Sequence, residues 1–295
     1  MSAHAWIPQL LVLALALVMF GLGLALAPAD FKRVLGHPKA LAIALALQVL
    51  VLPAACYGLI VGLSVPPVYA VGLMLLAASP GGVSANLFSH LFGGNVAMNI
   101  SLTAINTVLS IISLPLIGTW AIATFAGTGE VVPLQFGKVV EVIGIVLIPV
   151  AIGMLVRAKA RRFAERAEGP MKLFSALVLA AFALIAIVKE WNALQSSFMV
   201  IGPAVLAFNV ISLLSGYYFS RMAGLDKPMA TAISYEIGIH NSTLAMFIAL
   251  SVLNNFQLAL PAALYSISMY LTAVAFGMLV LRRGAGGGAP VPNKA

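Results

Sequence analysis

Residues 234–242 read SYEIGIHNS and lie inside a long apolar run of the chain. Glu236 falls about eight residues into that run, where a charged side chain costs at least about 2.5 kcal/mol if the run crosses a membrane. A carboxylate at that depth persists only with hydrogen-bond partners, ions or water around it. The segment indicates either a structural hydrogen bond between helices or, since many polar groups crowd the same segment, a functional site.

The composition of the whole chain excludes a water-soluble protein. Of its 295 residues, 62% are hydrophobic and 8% are charged, and the mean hydropathy is +1.09. An ordinary soluble domain carries about 25% charged residues. A soluble enzyme, a nucleic-acid-binding protein and a disordered chain are excluded on this ground. The net charge of +8 sits in short loops between apolar runs, so we interpret the chain as an all-α polytopic membrane protein.

Apolar runs long enough to cross a bilayer recur along the chain. A spanning helix needs about 20 mostly apolar residues, and the chain has room for about nine such helices. The predicted spans of this single transmembrane domain lie at about 7–27, 39–61, 69–92, 96–125, 137–157, 171–189, 197–220, 228–253 and 258–281. The run 96–125 is expected to bend near Pro115, and the tail 284–295, rich in Gly and Pro, is predicted to be disordered.

The distribution of basic residues predicts the orientation of the chain. With nine spans, only Lys138 and Lys189 fall on one side of the membrane. The other lysines and arginines, from Lys32 to Lys294, fall on the opposite side, which the positive-inside rule makes cytoplasmic. We therefore expect the N-terminus outside, the C-terminus in the cytoplasm, and a location in the plasma membrane, the inner membrane of a bacterium.

A second interrupted run has the sequence SPGGVSAN at residues 79–86. Pro80 removes a backbone donor, and Gly81 and Gly82 let the chain leave helical geometry. The freed backbone groups can bind ions and substrate, although a kinked helix with glycines for close packing is the alternative. The run that contains Glu236, at about 228–253, is expected to break around residues 236–238. The two broken spans lie five spans apart and cross in opposite directions, which favours an inverted repeat of residues 7–126 and 137–282.

Polar side chains in neighbouring spans add to this interpretation. In the fourth span, polar residues follow one helical stripe at three- and four-residue spacing: Asn99, Thr103, Asn106, Thr107 and Ser110. Gln48 lies five residues before Pro53 in the second span. Together with Glu236 these groups offer neutral oxygens and one negative charge. That environment suits a hard cation such as Na⁺ rather than a transition metal.

These motifs resemble the bile acid:sodium symporter family. The matching stretches are SPGGVSAN at 79–86, GNVA at 94–97, EIGIHNS at 236–242 and MFGLGL at 19–24, with Pro28, Asp30, Phe31, Gln48 and Pro53. The resemblance extends from Ile7 to Arg283. It implies a core domain in which two broken helices cross near the membrane midplane, and a panel domain that packs beside it and moves to alternate access.

The resemblance also implies the residues of the sites. Carried over by position, a first sodium site consists of Ala85, Asn86, Asn99, Thr103 and Glu236, and a second of Gln48, Glu236, Ile237, Ile239 and His240. The implied substrate-binding residues are Asn86, Asn241, Pro80, Gly81 and Gly82. Ala85 stands where family members often have Ser, Asn99 also stands where Ser is frequent, and His240 stands where Gln is common.

We therefore expect sodium-coupled symport of a small or amphipathic organic anion, a carboxylate or a sulfate, with Na⁺ as the coupling ion. An apolar cavity with Tyr265, Met269 and Tyr270 would suit such a substrate. Proton coupling through His240 beside Glu236 is an alternative. A passive channel, a sensor, and an intramembrane hydrolase using Ser79, Ser84 or Ser242 are further alternatives; the hydrolase lacks a recognisable nucleophile and base pattern, so we expect no enzyme.

Overall fold

A computed structural model describes residues 7–125, 136–189 and 191–281. The elements in these ranges are helices, as expected for the all-α class. They are α1 (Ile7–Ala25), α2 (Pro28–Leu35), α3 (Pro38–Ala46), α4 (Leu52–Gly62), α5 (Pro67–Ala78), α6 (Val83–Leu91), α7 (Val96–Phe125), α8 (Phe136–Lys159), α9 (Arg161–Lys189), α10 (Trp191–Met222), α11 (Lys227–Gly238), α12 (Ser242–Phe247) and α13 (Phe256–Phe276). Single π-helical turns follow α3, α12 and α13. The predicted disordered tail lies outside the described residues.

The helices follow the predicted spans closely, with two corrections. α2 occupies a stretch that hydropathy assigns to a loop, because Pro28 is at its first turn and the Asp30 carboxylate accepts a hydrogen bond from the Ala27 amide at 2.8 Å. α9 begins at Arg161, ten residues before the predicted start. Its first turns are charged and include the Arg161–Glu165 ion pair, so a search for apolar runs overlooks them.

Three uninterrupted helices of the described residues are long and apolar enough to cross a bilayer: Pro38–Gly62, Phe198–Met222 and Phe256–Leu281. A fourth span arises if the bent pair Val96–Ser110 and Ile112–Phe125 is counted as one. The sequence predicts nine spans. Interrupted spans are divided into helices too short for this length criterion, among them Pro67–Ala78 and Ser242–Val252.

The bend in α7 measures 53° and lies between Ser110 and Ile112, about one turn before Pro115. A proline ring clashes with the carbonyl four residues earlier, which here belongs to Ile111. The prediction of a bend near Pro115 is confirmed, and the proline explains why the bend precedes it.

The helices pack as two groups, which contact each other most extensively through α9 and α13. α1 lies against α8 and α9, while α5 packs against α7 and α13, and α10 packs against α11 and α13. The largest fully buried side chains of the second group include Phe208, Tyr235, Phe247 and Tyr265. This second group holds both broken helices at its centre, and therefore positions the candidate site.

Candidate functional site

The two broken helices meet at their breaks. α5 ends at Ala78 and α6 begins at Val83, while α11 ends at Gly238 and α12 begins at Ser242. Between them, the Gly82 amide donates to the Ile239 carbonyl at 2.6 Å, and the Asn241 amide donates to the Pro80 carbonyl at 2.8 Å. Gly81 and His240 form an isolated antiparallel bridge. The freed backbone groups of each break are thus partly satisfied by the other break.

The second break lies later in the chain than expected. The sequence predicts it around residues 236–238, but α11 continues through Gly238. Gly238 serves packing rather than unwinding, because a Cβ there would lie 2.7 Å from Leu213 Cγ. Its carbonyl accepts hydrogen bonds from Asn209 Nδ2 and from the Tyr265 hydroxyl, both at 2.9 Å. Asn209 was not among the predicted site residues, and its only sequence signal is a lone amide in an apolar run; Tyr265 was expected in the substrate cavity and not at this carbonyl.

Glu236 lies in the last turn of α11 and is completely buried. Its Oε2 is 2.5 Å from Thr103 Oγ1, and its Oε1 accepts from Asn106 Nδ2 at 3.0 Å. Thr103 Oγ1 is also 3.0 Å from the carbonyl of Asn99. A hydroxyl has one hydrogen, so Thr103 donates either to the carboxylate or to that carbonyl. Asn106 joins the site although the sequence placed it only on the polar stripe.

The polar stripe of α7 faces α11, and the two helices run parallel in register. The Asn95 amide donates to the Pro228 carbonyl at 2.9 Å, and Asn99 Nδ2 donates to the Ala232 carbonyl at 2.6 Å. Four residues further along both helices, Thr103 meets Glu236. Of the predicted first sodium site, the structure thus brings Asn99, Thr103 and Glu236 together along one seam, which is the contact between α7 and α11.

Several buried oxygens near this seam and the crossing have no hydrogen-bond partner in the described part of the chain. They are Gln48 Oε1, Asn86 Oδ1, Asn99 Oδ1 and Asn106 Oδ1. Buried polar atoms are almost always paired, so each of these amide oxygens is available to accept a hydrogen bond or to coordinate a cation. Amide and carboxylate oxygens are ligands for hard cations. Ala85 is buried in the first turn of α6 and can offer only its backbone.

Two residues of the predicted second sodium site, Gln48 and His240, meet at the first break. Gln48 Nε2 and His240 Nδ1 both lie 3.0 Å from the carbonyl oxygen of Ser79. Because that oxygen can only accept, Nδ1 carries the hydrogen, and His240 Nε2 is left buried without a partner. The Ile239 carbonyl is engaged by Gly82. Ile237 is buried on α11, one residue after Glu236.

A cavity of about 720 Å³ opens beside the crossing. Of the predicted substrate-binding residues, Gly82, Asn86 and Asn241 line it. Pro80 and Gly81 do not line it and instead form the pairing with the second break.

The remaining walls of this cavity are mostly apolar. They come from α1, with Val18, Met19 and Leu22, and from Met269 and Tyr270 of α13. Tyr265, which was also expected here, points to the Gly238 carbonyl. The cavity therefore combines a small polar end at the crossing with a larger apolar surface.

Comparison with known proteins adds an independent line of evidence. Residues 12–197 match the model of the Sodium Bile acid symporter family. The chain is 30% identical over 268 residues to a protein of Bacillus subtilis named as an uncharacterized sodium-dependent transporter, covering 90% of this chain and 81% of that one. It is 29% identical over 270 residues to a probable chloroplastic sodium/metabolite cotransporter of Arabidopsis thaliana, covering 90% of this chain.

A human relative, the ileal sodium/bile acid cotransporter, is 26% identical over 241 residues, which cover 79% of this chain and 67% of the human protein. The chain spans 65% of the Arabidopsis relative, slightly less than two thirds of its length.

Proposed function

The chain belongs to the Sodium Bile acid symporter family, and on that premise we propose that it is a sodium-coupled symporter that imports a small organic anion by alternating access. The family is one of multi-pass membrane transporters and not of enzymes, so the intramembrane hydrolase is excluded.

Glu236 carries the proposal. It is a completely buried carboxylate whose contacts are a hydroxyl and an amide. The ion pairs recorded among the described residues are Asp30–Arg33 and Arg161–Glu165, so no cationic side chain there forms a salt bridge with Glu236. Burying an unpaired charge is costly. A bound Na⁺ would supply the positive charge and would use the unpaired amide oxygens nearby.

Two sodium positions fit the donor groups. The first uses Ala85 through its backbone, with Asn86, Asn99, Thr103 and Glu236. The second uses Gln48, Glu236, His240 and the backbone carbonyls of Ile237 and Ile239. The first is better supported, because Asn86 and Asn99 each have an unpaired side-chain oxygen. In the second, Gln48 offers an unpaired oxygen, whereas the unpaired atom of His240 is a nitrogen, a weaker ligand for a hard cation.

The substrate is an organic anion with an apolar body. Asn86, Asn241 and the start of α6 at Gly82 form the polar end of the cavity. A helix N-terminus favours a negative group, here a carboxylate or a sulfate. The apolar walls would hold the rest of the molecule. Asn86 belongs to both the cavity and the first sodium position, so Na⁺ and substrate each favour the geometry that binds the other.

Alternating access would come from movement of one helix group against the other. α1, α8 and α9 correspond to the panel, and the helices around the crossing correspond to the core. The cavity has walls from both, since Met19 and Met171 lie on one side and Asn86 and Asn241 on the other. With nine spans in two inverted halves, the N-terminus would be outside and the C-terminus cytoplasmic.

The test needs no known substrate. We expect NaCl to raise the thermal unfolding temperature of the purified protein more than KCl at equal ionic strength, and Glu236→Gln to abolish that difference. A ligand specific for the folded state contributes about 1.4 kcal/mol at ten times its Kd. Glu165→Gln is the control, because Glu165 is an exposed carboxylate paired with Arg161 and should leave the sodium response unchanged. Identical curves in Na⁺ and K⁺ would contradict the proposal.

Proton coupling is the second candidate, and the Thr103 hydroxyl favours it. One hydroxyl hydrogen faces two acceptors, and a protonated Glu236 would provide the missing hydrogen. His240 would then titrate with Glu236 as a pair. Uptake in saturating Na⁺ should vary between about pH 5 and 8 for this candidate, and His240→Gln should reduce the variation. A flat profile would support the sodium-only mechanism.

A further inference from the structure

A smaller cavity lies between α10 and α13, away from the crossing. It is a groove of about 190 Å³. Leu213 and Phe276 form its floor and are buried, whereas Val210 and Leu279 form its rims and are exposed. None of its lining residues belongs to the sodium positions or to the cavity at the crossing. The groove is therefore open to the surroundings of the protein, and the proposed transport mechanism does not use it.

The two helices run side by side along this groove. At one end the Thr272 hydroxyl donates to Asn209 Oδ1, and one turn further along α13 the ring of Phe276 lies 5.9 Å from that of Tyr217. The spans that contain α10 and α13 therefore run in the same direction and end at the same membrane face. Thr272 is the polar member of the lining, and because its hydroxyl is engaged by Asn209, the groove offers an apolar surface.

Two basic side chains lie where the groove reaches that membrane face. Arg221 follows Leu214 of the lining by seven residues, or two helical turns, so it is on the groove side of α10. Its Nη1 donates to the Leu225 carbonyl at 2.7 Å. Lys227 Nζ donates at 2.6 Å to the carbonyl of Leu281, which directly follows the last lining residue of the other helix. The apolar groove thus ends at a guanidinium on one side and an ammonium on the other.

Both cations keep donors for a ligand. Neither Arg221 nor Lys227 takes part in the ion pairs recorded among the described residues. A guanidinium has five N–H donors and an ammonium has three, so each retains donors beyond its bond to a carbonyl. The nearby carboxylate of Asp226 caps α11 and accepts from the Met229 amide at 2.8 Å. Arginine and lysine donors of this kind bind phosphate oxygens.

We propose that this groove binds an anionic phospholipid of the surrounding bilayer, with one acyl chain along the groove and the phosphate at Arg221 and Lys227. The two cations lie where the spans end, which is the depth of lipid headgroups. Their two positive charges favour a lipid with a net negative charge over a zwitterionic one. Leu213 of the groove floor also packs against Gly238, so the bound chain contacts a residue that touches the second break. The site is independent of the coupling ion.

Thermal unfolding of the full chain in detergent tests this site. Dioleoylphosphatidylglycerol, which is anionic, or dioleoylphosphatidylcholine, which is zwitterionic, is added at equal mole fractions. A ligand of the folded state raises the unfolding temperature as its concentration passes its Kd. We expect phosphatidylglycerol to act at about 25-fold lower concentration, because each basic side chain near a membrane surface contributes about fivefold to the affinity for an anionic lipid.

The double variant Arg221→Gln with Lys227→Gln should abolish the preference for phosphatidylglycerol. Its matched control is Lys32→Gln with Arg162→Gln, which removes one lysine and one arginine that are exposed on α2 and α9, outside the groove. This control should keep the preference. If the first double variant does not fold, Arg221→Gln alone should lower the preference by about fivefold.

The groove itself is tested by a side chain that fills it. Ala275→Trp places a large ring at an exposed position of the lining and leaves both cations in place. Leu271→Trp places the same ring one turn earlier on α13, at an exposed position outside the lining. We expect Ala275→Trp to weaken the response to phosphatidylglycerol and Leu271→Trp to leave it unchanged.

Equal responses of the unmodified protein to the two lipids would overturn the lipid site. So would a preference that survives the loss of both cations, or one that the Lys32 and Arg162 control loses to the same extent, since the charge of the whole membrane face would then be responsible. Equal behaviour of Ala275→Trp and Leu271→Trp would mean that no acyl chain occupies the groove. None of these measurements involves Na⁺, so their failure leaves the symport proposal standing.

Discussion

The two helix breaks at the crossing are made in different ways. The first, Ser79 to Gly82, contains a proline and two glycines, which disfavour a continuous helix there. The second, Ile239 to Asn241, contains neither residue type. It is stabilised by other helices, since Asn209 of α10 and Tyr265 of α13 both donate to the Gly238 carbonyl.

The two breaks contribute different groups to the site. The first break brings backbone close to Glu236, where a side chain would not fit. The second supplies the side chains of His240 and Asn241, and Glu236 lies in the last turn of the helix that precedes it. Both breaks have supporting contacts, since Gln48 Nε2 and His240 Nδ1 lie 3.0 Å from the Ser79 carbonyl oxygen at the first break. Only the first break also contains residues that disfavour a helix. Substitutions at the two breaks should therefore lower stability or sodium binding for different reasons.

Gly81→Ala should have the largest effect. A Cβ at this position would lie 2.6 Å from the Glu236 carbonyl oxygen and would overlap the Glu236 carboxylate. Overpacking of this kind costs about 1–3 kcal/mol and occasionally more, and we expect the upper end because both clashes occur together. Thermal unfolding in NaCl and KCl should show a lower unfolding temperature and no sodium-specific rise.

Gly82→Ala is the matched control for that variant. Its φ of −88° suits any residue, and its added Cβ would lie 3.3 Å from the Ile239 carbonyl oxygen. We expect a small loss of stability and a retained sodium response. If Gly82→Ala were as damaging as Gly81→Ala, the flexibility of the segment rather than the approach to Glu236 would be what the glycines provide.

At the second break, Asn209→Leu and Tyr265→Phe test whether hydrogen bonds from α10 and α13 stabilise the end of α11. Each removes one of two donors to the Gly238 carbonyl, and each alone should cost about 1 kcal/mol. The double variant leaves that carbonyl buried without either donor, so its loss should exceed the sum of about 2 kcal/mol and reach about 3 kcal/mol. The measurement is a double-mutant cycle on thermal unfolding.

Additive losses in this cycle would mean that the two donors stabilise α10 and α13 rather than the end of α11. Asn209→Leu also removes an acceptor from Thr272, whose hydroxyl bonds to Asn209 Oδ1. Thr272→Val is the control for that contact, and it should be additive with Tyr265→Phe. If only Asn209→Leu and Tyr265→Phe are non-additive, the result would support the view that the hydrogen bonds to the Gly238 carbonyl stabilise the second break.

The same contrast explains what the sequence could predict. The apolar runs, the break at Pro80 and the stripe from Asn99 to Ser110 depend on local composition and helical spacing, and the structure has them where the sequence indicates. α11 extends beyond the predicted break because Gly238 packs against Leu213, a residue on another helix. The contacts of Asn209 and Tyr265 likewise depend on which helices are neighbours. No local pattern contains that information.

For the site, too, some residues could be predicted from the sequence and others could not. Thr103 and Glu236 could be paired from the resemblance, which places both in the first sodium site. The roles of Pro80 and Gly81 could not, because both residues lie behind the cavity and pair with the second break. Whether a backbone segment faces a cavity or another segment depends on the packing of several helices, and the sequence around it is the same in either case.

Pro80→Ala should have the smallest effect of the variants at the first break. Proline has no amide hydrogen, and the hydrogen bond from Asn241 to the Pro80 carbonyl survives the substitution. The expected loss is about 0.4–1 kcal/mol, from the greater freedom of the unfolded chain. The sodium-specific rise in unfolding temperature should be retained, because Gly81 still approaches Glu236. A loss as large as that of Gly81→Ala would mean that the fixed φ of proline, rather than the missing side chain of glycine, holds the two breaks together, and the contrast between them would then be one of rigidity.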